Sequence, residues 1–334
     1  LRRHFVPSSG KEIVVTRRLV YSIAVLAAAL AVGADILWCR PAAAQAPDVA
    51  TESWSGERAM ADIAAQLKFT PRSLDTPGHQ ATIDYIEAQL APTPFKAITK
   101  QRFTYRGDDG VEHALTNLVA RLDPGNSRRV IVATHYDSIV HAYRDAKNPD
   151  APMPGANNSA SGVAVLLETA RVLAGLPPPP FGIDMIFFDG EEGPKSLGAG
   201  DPHWFALGSP YFATHLGDFY SSRKPEAGVV FDMVCYRDLR LSPELYSLAN
   251  ARNETVKFWN IGAAVAPSVF LNAPTTYPVG DDQTALVRAG IPSFLVIDFE
   301  YDPWFNTTED TIDKCSAARL ADVGRTLVRY LYAR

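Results

Sequence analysis

The sequence predicts an α/β three-layer sandwich, with a central mixed, mainly parallel sheet flanked by helices. Two observations carry this. The continuously apolar runs Arg129–Thr134, Ile183–Phe188, Gly228–Val234 and Ile291–Asp298 alternate with helical stretches. Unbroken apolar character marks strands buried on both faces, the habit of parallel sheets covered by helices. Two earlier runs, Ala97–Tyr105 and Leu115–Leu122, flank the turn sequence Gly107-Asp108-Asp109-Gly110 and predict an antiparallel hairpin at the sheet edge.

The elements follow in order. Ser55 to Phe69 has apolar positions at helical spacing. Thr76-Pro77 opens a second helix, with a hydroxyl at the cap and proline in the first turn, and it runs to Leu90 before Pro92 and Pro94. The hairpin and the strand from Arg129 come next. Ser161 to Leu176 is a helix that ends at Gly175 and four prolines. After the strand from Ile183, Pro210 to Leu216 reads as a short helix and Gly228 to Val234 as a strand. Pro243 to Trp259 is mostly helical, Ile291 to Asp298 is the last strand, and Ala317 to Tyr332 is the closing helix. No internal repeat or long linker divides residues 47–334, so they are expected to form a single domain.

Composition narrows the function. The 334 residues are 47% hydrophobic, 21% charged and 10% aromatic, which excludes fibrous and disordered classes. A formal charge of −5 without a basic stripe argues against nucleic acid as a partner. No Gly-rich phosphate loop and no Gly-x-Ser-x-Gly elbow is present. Cys39, Cys235 and Cys315 are too few for a disulfide framework or a cysteine-rich zinc site.

At the N-terminus, Arg17-Arg18 precede an apolar run from Leu19 to Ala34, then Asp35, then Ala42-Ala43-Ala44-Gln45-Ala46. Basic, apolar, small-residue is the order of a signal peptide, so residues 1–46 are expected to direct export to the periplasm or beyond. The alternative is a retained membrane anchor over residues 19–38, the only expected membrane contact. Residues 1–46 carry six basic and two acidic residues; the remainder has 26 basic and 35 acidic, a net charge near −9. Cys235 and Cys315 are then an even pair, either bridged or two separate thiols.

Ligands of open α/β sheets sit beyond the carboxyl ends of the strands. Four such ends carry polar residues: His135-Tyr136-Asp137-Ser138, Asp189-Gly190-Glu191-Glu192-Gly193, Asp232, and Asp298 with the following Trp304 to Asp310. The loop Pro154 to Gly162, with Asn157-Asn158, enters a helix between the first two. Carboxylates that converge need a proton or a cation between them. Zn²⁺ accepts such a His and Asp/Glu mixture, with one of Glu191 and Glu192 holding metal and the other moving protons.

Five blocks in order make the chain resemble the M28 zinc-peptidase superfamily, and within it the glutaminyl cyclases, over residues 55–334. They are His135-Tyr136-Asp137-Ser138; Gly155-Ala156-Asn157-Asn158-Ser159; Phe187-Phe188-Asp189-Gly190-Glu191-Glu192; Phe231-Asp232-Met233; and Gly280-Asp281-Asp282 through Arg288-Ala289-Gly290-Ile291-Pro292 to Phe305-Asn306-Thr307. The resemblance implies a zinc-exopeptidase fold. It implies Glu191 as general acid/base, Glu192 as metal-binding carboxylate and Asp281 as an aspartate that hydrogen-bonds near the substrate. Asn158 and Asn306 stand where the family places Asp and His ligands, and His135 and Asp232 match the residues that complete the two-metal aminopeptidase site. The implied cofactor is Zn²⁺, one ion in a cyclase and two in an aminopeptidase, with two amides in the ligand set predicting weak or absent metal. The implied activity is conversion of N-terminal Gln of peptides to pyroglutamate with release of ammonia. The alternatives are a metal-dependent aminopeptidase and a non-catalytic exported relative that binds peptide N-termini. Asn306-Thr307-Thr308 and Asn253-Glu254-Thr255 are also glycosylation sequons.

Overall fold

Strands β1 (Ile98–Arg106), β2 (Glu112–Leu122), β3 (Arg129–His135), β4 (Gly182–Phe188), β5 (Ala227–Asp232) and β6 (Ser293–Ile297) form one sheet in the order β1-β2-β4-β3-β5-β6. β3 runs parallel to β4 and β5, and β5 to β6; β1 with β2 and β2 with β4 are antiparallel. The predicted mixed, mainly parallel sheet with a hairpin edge is what forms. This computed structural model describes residues 51–107, 110–193 and 205–334. Residues 1–46, read as a signal peptide or an anchor over 19–38, and Asp108-Asp109 of the turn lie outside the described residues.

The strand period of two divides the apolar residues between two cores. Val130 and Val132, Met185 and Phe187, Val229 and Phe231, and Phe294 and Val296 enter one core. Their neighbours Ile131 and Ala133, Ile186 and Phe188, Val230, and Leu295 and Ile297 enter the other. Both faces of every parallel strand are therefore apolar, which is why no polar alternation shows in the sequence. The first core is covered by helices α1 (Gly56–Leu67), α2 (Pro77–Leu90), α3 (Ala160–Leu173), α6 (Arg252–Val265) and α8 (Ala317–Tyr332). The second is covered by α4 (Gly208–Thr214) and α7 (Gln283–Arg288), and α5 (Leu245–Asn250) immediately precedes α6.

Local chemistry sets the helix starts. Ser55 Oγ accepts from Arg58 N, and Thr76 Oγ1 accepts from His79 N ahead of Pro77. α3 is buried almost all round, and Gly162 lets it lie against the sheet, since a Cβ there would meet Thr134 Oγ1 at 2.1 Å and Phe231 O at 2.8 Å. The mostly helical stretch Pro243 to Trp259 holds two helices, because Ala251 leaves helical geometry at φ −142°, ψ 38°. α7 escaped the sequence reading because six residues are too few to show a period. Among the described residues no helix is long and apolar enough to cross a membrane.

At the sheet's carboxyl edge, β3 lies between β4 and β5, so the chain turns to opposite sides of β3 and opens a crevice there. A disulfide joins Cys235, just beyond β5, to Cys315, just before α8, deciding between the two states left open above. It closes a chain separation of 80 residues. Changing both cysteines to serine is expected to lower unfolding stability by about 2–5 kcal/mol. Urea unfolding of oxidised wild type and the double variant measures this, and equal midpoints would refute it.

Candidate functional site

Two buried carboxylates hold the backbone of the site. Asp137, two residues past the end of β3, accepts the Glu191 amide on Oδ1 and the Glu192 amide on Oδ2, both at 3.1 Å. Asp310 does the same for the loop before α3, accepting Asn157 N at 2.9 Å and Asn158 N at 3.1 Å. Tyr301 Oη donates to Asp310 at 2.9 Å, and Arg72, fully buried, donates to Pro154 O and Gly155 O at 2.7 and 2.9 Å. Each carboxylate thus satisfies two successive orphan N–H groups and fixes the side chains that follow. Gly190, at φ +67°, makes the turn that separates Asp189 from Glu191. Asp189 is anchored by His79 Nε2 at 2.7 Å and by the Thr116 amide at 2.6 Å.

From this frame Glu191, Glu192, Asp232, Asp281 and Asn158 face one cleft of about 610 Å³, walled by Met233, Val279 and Ile297. His135 lies buried beside it, with Nε2 3.2 Å from Asp232 Oδ1, Nδ1 3.4 Å from Asp137 Oδ1 and 3.9 Å from Glu191 Oε2. Burial would lower its pKa, but Glu191, Asp137 and Asp232 outweigh that and raise it well above the ordinary value. The imidazolium therefore supplies the compensating positive charge among these carboxylates. Asn306 is buried next to the cleft, and Asn158 Nδ2 reaches its Oδ1 at 3.4 Å. That burial closes the Asn306 sequon to a glycan, whereas Asn253 is exposed on α6. The structure thus brings all seven predicted site residues to one place. The sequence placed Asp189 and Asp310 at the site edge without a role, and gave no sign of Arg72 or of the His79–Asp189 pair. Asp310 sits in a polar run that reads as solvated, and Arg72 and His79 belong to a distant segment.

Glu192 is the pivot for metal. Its Oε1 accepts from Asn158 Nδ2 at 2.7 Å, so Asn158 offers an N–H where a ligand would offer a lone pair. Asn306 contributes a second uncharged amide. His135 and Asp232 are spent on each other. Among the described residues no three His, Cys, Asp or Glu side chains are gathered as a metal ion requires. The donor set does not fit the zinc that the resemblance implies.

Burial pushes Glu192 up to about 8, Asp282 to about 7 and Asp310 to about 6, and holds Glu191 and Asp281 well above the usual carboxylate range. His135 opposes the shifts of Glu191, Glu192 and Asp282. Folded carboxyls with raised pKa values bind protons that the unfolded chain releases at a lower pH. Stability is therefore expected to fall as pH rises from about 5 to 8, by about 1.4 kcal/mol per pH unit for each proton of difference. His135 adds to the fall, since its stabilising charge is lost as pH climbs through its raised folded value. Thermal midpoints at fixed ionic strength measure this; a midpoint that rises steadily over the window would contradict it.

A mixed sheet with acidic side chains gathered at its carboxyl edge is the architecture of the zinc exopeptidases. The chain belongs to peptidase family M28, whose model matches residues 117–331. It is 28% identical over 225 residues to aminopeptidase YwaD of Bacillus subtilis, which covers 65% of this chain and 44% of that protein. It is 25% identical over 240 residues to a glutaminyl-peptide cyclotransferase-like protein of Bos taurus, covering 65% and 60%. The chain thus matches only about half the length of these curated relatives. The crystal structure of Tannerella forsythia glutaminyl cyclase superposes with a TM-score of 0.77 at 28% identity, covering 84% of this chain and 99% of that one.

Proposed function

We propose that the chain acts on peptide N-termini as a glutaminyl-peptide-cyclotransferase-like protein. The observation that supports this most directly is the placement of Glu191 in a carboxyl-lined cleft of about 610 Å³ ringed by Asp232, Asp281 and Glu192. An N-terminal Gln there has its α-amine beside Glu191. The amine nitrogen attacks the side-chain carboxamide carbon, the C–N bond to the amide nitrogen breaks, and ammonia leaves. Glu191 takes the proton from the amine and returns it to the departing nitrogen, a task suited to a carboxyl that burial makes more basic than an ordinary one. Asp232 and Asp281 orient the terminal ammonium, which first loses one proton to water; the proton that Glu191 relays is the second, lost by the neutral amine as it forms the amide. No step is assigned to zinc.

The Asn158–Glu192 hydrogen bond favours a second reading, in which the cleft binds N-termini without turnover. Incubating the protein with Gln-peptides and with Leu-peptides separates the readings. A cyclotransferase releases ammonia and leaves the chain uncut, an aminopeptidase releases a free amino acid, and a binder protects the peptide without either product. We further infer export, supported by the order of residues 17–46 and by the Cys235–Cys315 bridge.

A further inference from the structure

The cleft is not acidic throughout. Its buried carboxyls are Glu191, Glu192, Asp232 and Asp281, and Arg144 is the one cationic side chain among the described residues that line it. The reaction proposed above gives Arg144 no task. A guanidinium at the exposed rim repels a terminal ammonium, so its place there points to a second, anionic group on the ligand.

Arg144 is positioned but not used up. Its backbone N–H donates to Asn306 O at 3.2 Å, and its guanidinium lies 5.3 Å from the centre of the Phe305 ring. The next residue, Asp145, accepts from Thr308 N at 3.1 Å. The loop is thereby tied to the segment that carries Asn306, and the side chain needs little ordering when a ligand arrives. The guanidinium meets Asp302, Nη2 to Oδ1, at 2.8 Å, with 40% and 63% of the two side chains in water. An ion pair that exposed contributes little, so Asp302 is readily displaced by another carboxylate. The planar fork of a guanidinium suits such a group at two points.

The two zones are close. Glu192 Oε1 accepts from Asn158 Nδ2 at 2.7 Å, Asn158 Nδ2 reaches Asn306 Oδ1 at 3.4 Å, and Asn306 O accepts from Arg144 N. Two asparagines separate Glu192 from the Arg144 backbone. An extended peptide advances about 3.3–3.6 Å per residue, so a ligand that bridges the zones is short and its carboxylate belongs to the second residue.

Resting on the reading of the cleft as a site for peptide N-termini, we propose that Arg144 is a carboxylate anchor that selects peptides with a negative charge on the second residue. Two sources supply that charge: the C-terminal carboxylate of a dipeptide, or the side chain of Asp or Glu. Without the anchor, the acidic cleft would disfavour either one.

The test measures two affinity ratios, Gln-Ala over Gln-Ala-amide and Gln-Glu-amide over Gln-Gln-amide, on wild type, Arg144→Gln and Asp302→Asn. The readout is KM where ammonia is released and Kd by calorimetry where it is not. At low ionic strength wild type is expected to favour the carboxylate by about 5-fold in at least one pair. A preference in the first pair alone assigns the C-terminal carboxylate, and in the second alone the acidic side chain; either supports the anchor. In Arg144→Gln the ratio falls below one, because the acidic cleft is left to repel the carboxylate. In Asp302→Asn it widens by about 2-fold, because the competing carboxylate is gone. Ratios at or below one in wild type for both pairs overturn the anchor, and a preference that persists in Arg144→Gln overturns its assignment to this residue. Acetyl-Gln-Ala bound as tightly as Gln-Ala, with the Arg144-dependent ratio intact, overturns the N-terminus reading and leaves the anchor standing. Failure of every peptide to bind or react overturns both.

Discussion

Asn158→Asp combined with Asn306→His is expected to give a protein that retains near-stoichiometric zinc after dialysis, whereas the wild type retains little. Of the three positions where the resemblance places metal ligands, Glu192 is the one carboxylate, and it accepts from Asn158 Nδ2. Asp at 158 reverses the polarity of the contact, because an N–H donor becomes a second anionic oxygen facing Glu192. The two carboxylates then repel until a cation lies between them. His at 306 adds a neutral nitrogen donor on the third side. Losing a partner outside the direct ligands usually costs about 10–100-fold in metal affinity; two direct donors should exceed that. Metal analysis and the zinc dependence of the thermal midpoint give two readouts. The double variant should be less stable than wild type in chelator and more stable in zinc. Tight zinc in dialysed wild type would show that the ligands lie elsewhere, with His135, Asp137 and Asp232 the first to revisit.

Glu191→Gln is expected to lower ammonia release by about 10²–10⁴-fold, the usual contribution of a positioned acid/base. Folding should survive, and the thermal midpoint should stay level or rise. Glu191 is buried, and its charged form is disfavoured there chiefly by burial and further by Asp281, Glu192 and Asp282. Gln keeps the shape and removes the charge. Its separation from His135 is 3.9 Å, longer than the contacts of His135 with Asp232 and Asp137. The imidazolium therefore keeps its nearer partners. A large fall in midpoint alongside the loss of turnover would instead make Glu191 a structural residue.

The sheet was legible because its parallel strands are apolar on both faces, so Ile131 and Val132, which point into opposite cores, read alike. Helix ends with strong local chemistry, such as Thr76-Pro77, were legible to the residue. The break at Ala251 and the short α7 were not: the first is one residue leaving helical geometry, and the second has too few residues to show a period. Within the site, Glu191, Glu192, Asp232 and His135 could be grouped since each ends or follows a parallel strand. The frame beneath them could not. Asp310 acts on Asn157 and Asn158 across more than 150 residues of chain, and nothing in Thr-Glu-Asp-Thr marks one carboxylate as buried. The direction of the Asn158 amide was also out of reach. The sequence shows an uncharged residue where the resemblance implies a ligand, but only the fold shows that it donates to Glu192.

Cyclisation without zinc is measured most directly by ammonia release from a Gln-peptide by dialysed wild-type protein in molar excess over the peptide, with and without a zinc chelator. The expected result is one ammonia per peptide, a pyroglutamyl product of otherwise intact sequence, and a rate that the chelator leaves unchanged. Release of a free amino acid, or ammonia release that stops when chelator is added, would contradict it.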